Sequence, residues 1–220
     1  MASVKQIIAY RVAQDLKDGD VVNLGIGLPT LVANYVPEGV EIALQSENGI
    51  IGMAGVAGPD EIDPNVTNAG GTPATVNVGA AYFDSAASFG IIRGGHVDMT
   101  VLGALQVDQE GNLASHIIPG KMVPGMGGAM DLVVGAKKVV VAMQHTQKGA
   151  PKIFEKISLP TTAVKCVDMI VTELGVMVVT DEGLVLTEVA PGVTAEDVQA
   201  ATACKLIISD DLKTMAVPAE

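Results

Sequence analysis

The fold class follows from residues 21–45, which read VVNLGIGLPTLVANYVPEGVEIALQ. The apolar run at residues 21–24 is typical of a short buried strand, and residues 41–45 are typical of a second one. Between them, a glycine-containing turn leads into a helical pattern that ends near Val36 and has Pro29 in its first turn. Strand, helix and strand in this order predict a βαβ unit, the building block of a parallel sheet.

The rest of the chain extends the same class. Further strands are predicted at residues 99–105, 139–143, 170–172, 176–180, 184–187 and 206–208, and helices at residues 4–16, 84–92 and 194–203. Residues 58–73 and 119–128 are rich in glycine, proline and polar residues, which predicts loops. Because no repeat or linker divides the 220 residues, we expect one domain over residues 1–220. Its class is α/β, with a largely parallel central sheet and flanking helices.

Composition limits the partners that the chain can have. A net charge of −12 is unsuited to the phosphate backbone, so nucleic acid is not expected. No apolar stretch is long enough to cross a bilayer, and the N-terminal pattern lacks the layout of a secretory signal, so we expect a cytoplasmic protein with no membrane contact. Neither the two cysteines nor the three histidines have the spacing of a metal site, and no metal is expected.

The charge is unevenly distributed along the chain. Residues 121–165 contain seven lysines against Asp131 and Glu155, a local balance of +5 in a chain of net charge −12. This segment could supply counter-charges to an anionic ligand. It could equally form a solvated lysine face, and the sequence leaves both readings open.

Residues 46–49, Ser-Glu-Asn-Gly, place a carboxylate at the end of the second predicted strand. Apolar stretches lie on both sides, at residues 40–44 and 50–55. Burying an ionised carboxylate is costly unless it is paired or hydrogen-bonded. Glu47 therefore either caps a helix or pairs with a buried base, or it serves a chemical role.

The surrounding motif favours the chemical role. Residues 44–52, LQSENGIIG, resemble the signature of family I (3-oxoacid type) coenzyme A transferases, and segments 23–29, 83–86, 92–96, 111–114 and 119–131 are also similar to that family. The resemblance covers nearly the entire chain. The length of the chain is similar to that of the β (B) subunit of two-subunit family members that act on acetate, butyrate and acetoacetyl-CoA. The α-subunit glycine motif is absent, so the resemblance implies a separate α (A) subunit and an α2β2 heterotetramer.

The resemblance implies a mechanism as well. In this family the equivalent of Glu47 is the nucleophile. It attacks an acyl-CoA thioester, forms an acyl-glutamyl anhydride and then a glutamyl-CoA thioester, and passes CoA to a second carboxylic acid. A carboxylate needs no general base for this attack, and covalent exchange of this kind predicts ping-pong kinetics. The coenzyme A thioester is a substrate, and no cofactor is expected.

Several residues join Glu47 in the predicted site. The Asn23 amide and the backbone N–H groups of Gly127 and Gly128 are the predicted donors to the oxyanion of the tetrahedral intermediates. By resemblance, the predicted substrate-binding positions are Gly25, Gly27, Ser46, Asn48, Gly49, Gly125 and Lys121. The residues themselves leave alternatives open, because Asn23 could be a turn residue and the glycines could serve tight packing.

Other functions are also compatible with parts of the sequence. Gly25-Ile26-Gly27, with Glu47 roughly 20 residues further on, is similar to a dinucleotide-binding fingerprint, but Thr30 occupies the third glycine position. A non-catalytic ligand-binding or regulatory subunit could share the fold. A dicarboxylate enzyme acting on succinate or 3-oxoadipate could share the motif. Because no arginine is clearly dedicated to a second substrate carboxylate, the sequence favours short monocarboxylic acids.

Overall fold

The computed structural model describes residues 2–121, 123 and 125–218. In this part of the chain the helices are α1 (Val4–Ala13), a 3-10 helix (Leu28–Tyr35), α2 (Ser85–Arg93), α3 (Ala129–Gly135) and α4 (Ala195–Ala201). The strands are β1 (Val21–Leu24), β2 (Ala43–Ser46), β3 (Ile50–Val56), β4 (Ala74–Tyr82), β5 (Met99–Leu102), β6 (Gln106–Asp108), β7 (Leu113–Ala114), β8 (Val139–Ala142), β9 (Thr146–Gln147), β10 (Ala150–Pro151), β11 (Ile153–Phe154), β12 (Met169–Val171), β13 (Gly175–Thr180), β14 (Gly183–Val189) and β15 (Leu206–Thr214).

The central sheet has ten of these strands, in the order β15-β14-β13-β12-β8-β5-β1-β2-β3-β4. The five strands in its middle, from β12 to β2, all run parallel to one another. At each flank the sheet continues in antiparallel pairs, β12 with β13 and β2 with β3. The predicted single-domain α/β fold with a largely parallel sheet is therefore confirmed, with antiparallel additions at both sides.

The βαβ unit that decides the fold class is present. β1 and β2 pair in parallel, with Val22 opposite Leu44 and Asn23 opposite Gln45. The connection is a 3-10 helix rather than the α-helix that the pattern predicts, and Pro29 does lie in its first turn. The Thr30 hydroxyl donates to the carbonyl of Gly27 at 2.7 Å, which occupies an acceptor that the first turn of an α-helix would use.

Two apolar clusters cover the two faces of the sheet. On one face, Ile8 and Val12 of α1 pack with Val22 and Val140. On the other face, α2, α3 and α4 contribute Ile92, Leu132 and Val198. Since strand β8 is buried throughout, its residues face both clusters in alternation, as is typical of a parallel strand covered on both sides. The result is a three-layer arrangement with helices on each face.

The sequence patterns did not predict strands β3 and β4. Residues 50–55 read only as a small apolar run, because Gly52 and Gly55 break the pattern of a strand. In the structure β3 pairs antiparallel with both β2 and β4, with register shifts around Met53. Residues 57–73 between them form the predicted loop, closed by a bridge between Thr67 and Pro73.

A partly buried ion cluster joins α1 to strand β14. The Arg11 guanidinium binds both carboxylate oxygens of Glu188, at 2.7 and 2.6 Å, and also Asp15 at 2.7 Å. The other oxygen of Asp15 accepts from Lys138 at 2.8 Å. Because Glu188 lies in β14 and Asp15 follows α1, these bonds join segments that are distant in sequence.

Among the described residues, no helix has both the length and the apolar composition needed to cross a membrane.

Candidate active site

Glu47 occupies the turn that connects β2 to the antiparallel strand β3, at the carboxyl end of the parallel strands. Ligands of open α/β sheets bind outside this edge. The turn depends on Gly49, which has φ +113°, and a side chain there would collide with the carbonyl oxygen of Phe83. The backbone N–H of Phe83 donates to the carbonyl of Gly49 at 3.0 Å. The glycine of the motif thus lets the segment that enters α2 pack directly beneath Glu47.

The parallel register brings Asn23 next to Glu47. Asn23 is the β1 partner of Gln45, and Glu47 follows Gln45 by two residues, so the three side chains share one face of the strands. The Asn23 Nδ2 atom lies 3.3 Å from Glu47 Oε2 and 2.8 Å from Gln45 Oε1. Asn23 is buried, while Glu47 is partly exposed. The structure therefore brings Asn23 and Glu47 together across 24 residues of sequence.

The glycine loop closes the site from the other side. An ideal Cβ on Gly127 would lie 3.4 Å from Glu47 Oε1, and one on Gly128 would lie 3.5 Å from Glu47 Cγ and 3.3 Å from the Phe89 ring. Gly127 also has φ +57°, a conformation that glycine adopts without strain. The absence of side chains at both positions leaves the loop backbone next to the Glu47 side chain.

A cavity of about 280 Å³ lies beside Glu47. Its wall is formed by β1, the 3-10 helix, β2, β3 and the 57–73 loop, with apolar contributions from Leu24, Leu31, Met53 and Val56. Of the lining residues that the structure describes, Glu47 alone carries an ionisable side chain. The nucleophile predicted from the sequence therefore faces a small and largely apolar chamber.

Two motif residues hold the wall of this cavity in place. The Ser46 hydroxyl accepts from the backbone N–H of Ala69 at 3.1 Å, and the Asn48 amide donates to the carbonyl of Thr67 at 2.7 Å. Both were predicted to bind substrate. In the structure their side chains fasten the 57–73 loop over β2 and β3.

The remaining predicted binding residues differ in their position. Gly27 lines the cavity, whereas Gly25 packs against β5, where its N–H donates to the carbonyl of Val101 at 2.8 Å. Gly125 and Lys121 are exposed and lie outside the cavity lining. Met122 and Pro124, which belong to the same predicted motif, lie outside the described residues.

The positive segment at residues 121–165 is partly neutralised within the fold. Lys137 pairs with Asp98 at 2.7 Å and Lys138 pairs with Asp15 at 2.8 Å. These two lysines are therefore occupied by internal carboxylates.

The most buried histidine has a structural environment. His145 is fully buried, with its ring nitrogens 2.9 Å from the hydroxyls of Thr172 and Thr202. Burial lowers the pKa of His145 to about 4, so the ring is neutral at physiological pH. In the described part of the chain, no group of three or more His, Cys, Asp or Glu side chains is placed to hold a metal ion.

The sequence reasoning missed two residues beneath the site. Gln45 accepts from Asn23, and its own amide donates to the Ser88 hydroxyl of α2 at 2.9 Å. Gln45 is part of the quoted motif, so its polar side chain within a buried strand was an available signal. Ser88 carried no such signal, since its contact depends on how α2 packs against β2.

Comparisons with known proteins identify the family. The family model described as coenzyme A transferase matches residues 5–201, and the chain belongs to that family. It is 56% identical to the beta subunit of the acetate CoA-transferase of Escherichia coli, over 96% of each chain. It is 46% identical to the B chain of the probable succinyl-CoA:3-ketoacid coenzyme A transferase of Bacillus subtilis, over 96% of this chain and 99% of the relative. The protein is therefore a CoA-transferase subunit of the β (B) type.

A solved structure supports the fold independently. The acyl-CoA transferase YdiF of E. coli O157:H7 superposes with a TM-score of 0.78 at 24% identity, over 97% of this chain. This chain spans 43% of the length of YdiF. The architecture described above is thus one half of a larger chain in that protein.

Proposed function

We propose that Glu47 is the covalent nucleophile of a transferase that moves CoA between short-chain carboxylic acids. The observation that supports it best is the position of Glu47, the one ionisable side chain among the described residues of the cavity wall, within reach of the Asn23 amide. Closed, poorly hydrated sites protect reactive intermediates from hydrolysis. An acyl-glutamyl anhydride, which water destroys readily, requires that protection.

The reaction proceeds by two exchanges at one carboxylate. A Glu47 oxygen adds to the thioester carbonyl carbon, the C–S bond breaks, and CoA leaves as the thiolate. The thiolate then adds to the glutamyl carbonyl of the anhydride and releases the first acid as its carboxylate, which leaves CoA on Glu47 as a thioester. A second carboxylate runs the same steps in reverse, so the enzyme is regenerated without metal or redox chemistry.

The donors around Glu47 suit the charge that develops. Each addition creates an oxyanion, and one well-placed donor contributes about 2.7–4 kcal/mol to its stabilisation. The Asn23 Nδ2 group already contacts the Glu47 carboxylate, and the backbone at Gly127 and Gly128 lies against its other side. We assign the oxyanion contacts to these two elements.

The cavity favours short monocarboxylic acyl groups over dicarboxylic ones. A lining without a lysine, arginine or histidine among its described residues offers no counter-charge to a second substrate carboxylate, which would be costly to bury unpaired. A volume of about 280 Å³ accommodates an acetyl, butyryl or acetoacetyl group. The E. coli relative is named for acetate, in agreement with this preference, whereas the B. subtilis relative is named for succinyl-CoA and represents the alternative.

We further propose that the chain works with a separate α subunit, as an α2β2 heterotetramer in the cytoplasm, where CoA thioesters are metabolised. The relatives, which are named as the beta or B chains of their enzymes, support a partner chain. Glu47 is partly exposed in the isolated chain, so a partner surface over the cavity mouth would complete its exclusion of water.

Steady-state kinetics of the co-expressed subunits test this function. Rates measured against butyryl-CoA at several acetate concentrations are expected to give parallel double-reciprocal lines, and Glu47→Gln is expected to abolish turnover. A panel of acids should show acetate and butyrate used well above succinate. Intersecting lines would contradict the covalent exchange mechanism. A Glu47→Gln enzyme that keeps its turnover would favour the non-catalytic alternative for this chain, and preferential use of succinate would overturn the substrate assignment.

A further inference from the structure

A row of polar side chains crosses the centre of the parallel sheet directly beneath Glu47. Thr100 of β5, Asn23 of β1 and Gln45 of β2 are register neighbours, so their side chains lie on the same face of the sheet. The relative exposures of Thr100, Asn23 and Gln45 are 0%, 1% and 2%. Ser88 of α2 contacts the row at Gln45 and is itself 0% exposed. Buried polar groups are expensive unless they are hydrogen-bonded, so such a row in an apolar core needs a reason.

The hydrogen bonds along the row run in one direction. The Ser88 hydroxyl donates to the carbonyl of Ser46 at 3.4 Å, so its oxygen is available to accept. The Gln45 Nε2 atom donates to that oxygen at 2.9 Å, which turns Gln45 Oε1 towards Asn23. Asn23 Nδ2 then donates to Gln45 Oε1 at 2.8 Å and lies 3.3 Å from Glu47 Oε2.

This direction determines which end of the Asn23 amide faces the nucleophile. An asparagine amide can adopt two orientations that exchange its NH2 group and its oxygen. In the reversed orientation, the Asn23 oxygen would face Gln45 Oε1, the Gln45 carbonyl and the Glu47 carboxylate, all of which are acceptors. The Gln45 side chain, which makes the shortest of these contacts, therefore acts together with the Gln45 carbonyl to favour the orientation that directs a donor at Glu47.

The cost of this orientation is visible at the other end of the amide. Asn23 Oδ1 is buried and has no hydrogen-bond partner among the described residues, and neither has Thr100 Oγ1 beside it in the sheet. An unpartnered buried acceptor costs about 1–3 kcal/mol. The folded protein bears this cost because the same orientation of the amide directs the Asn23 NH2 group at Glu47.

We infer that Gln45 and Ser88 are positioning residues that hold the Asn23 amide with its donor towards the reacting carboxylate. The inference rests on the proposed role of Glu47. Neither side chain is hydrogen-bonded to Glu47 among the described contacts, and their hydrogen bonds lead to it through Asn23. The Ser46 carbonyl orients the Ser88 hydroxyl, which orients the Gln45 amide. The Gln45 amide in turn orients Asn23.

A double-mutant cycle tests this chain of contacts, because a positioning residue loses its effect when the residue it positions is removed. Asn23→Ala is expected to lower kcat by about 10²–10³-fold, as the loss of an oxyanion donor does. Gln45→Leu is expected to lower kcat by about tenfold or more, with KM for acyl-CoA changed less than about twofold. In the Asn23→Ala background, Gln45→Leu should cost less than about threefold.

Two further variants make the result decisive. Ser88→Ala removes a single hydroxyl and leaves the core volume almost intact, and it should repeat the pattern of Gln45→Leu at smaller size. Thr100→Val is the matched control, since it changes the same polar row at a hydroxyl that has no partner among the described residues, and its kcat should stay within about twofold of the parent. Thermal unfolding of each assembled variant identifies any that fail to fold. If Gln45→Leu does not fold, the double-mutant cycle is measured with Ser88→Ala instead.

The outcomes separate the inference from the function on which it rests. Multiplicative effects of Asn23→Ala with Gln45→Leu or with Ser88→Ala would overturn the positioning role, and so would unchanged turnover in both single variants. If Glu47→Gln keeps turnover, the proposed nucleophile is wrong and the cycle has no Glu47 chemistry to report. If Glu47→Gln is inactive and the cycle is multiplicative, only the positioning role fails.

Discussion

Acid should weaken this fold through His145, whose imidazole is buried between two threonine hydroxyls. Burial lowers the pKa of His145 from 6.5 to about 4, because the interior disfavours the charged ring. The unfolded chain therefore takes up a proton at a higher pH than the folded chain. The stability that the neutral ring contributes is complete above pH 6.5 and is lost as the pH falls from there towards 4.

The size of the effect follows from the same two values. The pKa difference of about 2.5 units corresponds to about 3.4 kcal/mol at full protonation, since each unit is 1.36 kcal/mol. At about pH 5.0, with the folded protein still almost unprotonated at this site, about 2 kcal/mol of the free energy of unfolding should be lost relative to about pH 7.5.

Urea unfolding measured by far-UV circular dichroism gives the test, because the chain has no tryptophan to follow. The reference is His145→Gln, which retains a donor and an acceptor without a titratable ring. The carboxylates of Asp15 and Asp98, whose pKa values are also lowered, weaken both proteins equally in acid. Between about pH 7.5 and 5.0 the parent should lose about 2 kcal/mol more than the variant. Equal losses in the two proteins would refute the neutral, buried histidine.

Two further predictions concern the site and the partly buried ion cluster of Arg11. Gly127→Ala places a methyl group against Glu47 Oε1 in a left-handed backbone conformation, so turnover should fall at least tenfold, which corresponds to about 1.4 kcal/mol. The control is Gly39→Ala, where φ is also positive but a Cβ would have no neighbour within 4 Å. This variant should change stability but not turnover. Arg11→Met takes the cation from the partly buried Glu188 carboxylate and one of two cations from Asp15, which keeps Lys138, so it should cost about 3–5 kcal/mol of unfolding free energy in urea titrations. Arg93→Ala, from an exposed pair, should cost less than about 1 kcal/mol. Equal turnover in Gly127→Ala and Gly39→Ala, or equal loss of unfolding free energy in Arg11→Met and Arg93→Ala, would contradict the reasoning.

Patterns that are local in sequence account for the part of the fold that could be predicted. The structure contains the apolar strands β1 and β8, and it contains the capping box that Thr194 and Asp197 form at α4. Each of these features depends on residues that are neighbours in sequence. Strand β3 depends instead on its pairing with β2 and β4, which stabilises a segment whose glycines oppose a strand. The order of ten strands in the sheet also depends on contacts between distant residues, which one sequence does not reveal.

The candidate site divides along the same line. Asn23 was predicted to lie in the site with Glu47 from the resemblance to a known family, and the two meet in the structure because parallel strands end at one edge of a sheet. Ser46 and Asn48 lie in the same motif, yet their side chains bind the 57–73 loop. Ser88 could not be found, because its role arises only when α2 packs against β2.

The proposed mechanism requires that CoA becomes covalently attached to Glu47 during turnover. The direct measurement is mass spectrometry of the co-expressed subunits after mixing with acyl-CoA in the absence of a second acid, followed by peptide mapping. A CoA adduct is expected on the peptide that contains Glu47, and it should be discharged by added acetate and be absent in Glu47→Gln. A fully active enzyme that never carries CoA on this peptide, or an adduct that persists in Glu47→Gln, would contradict the proposed mechanism.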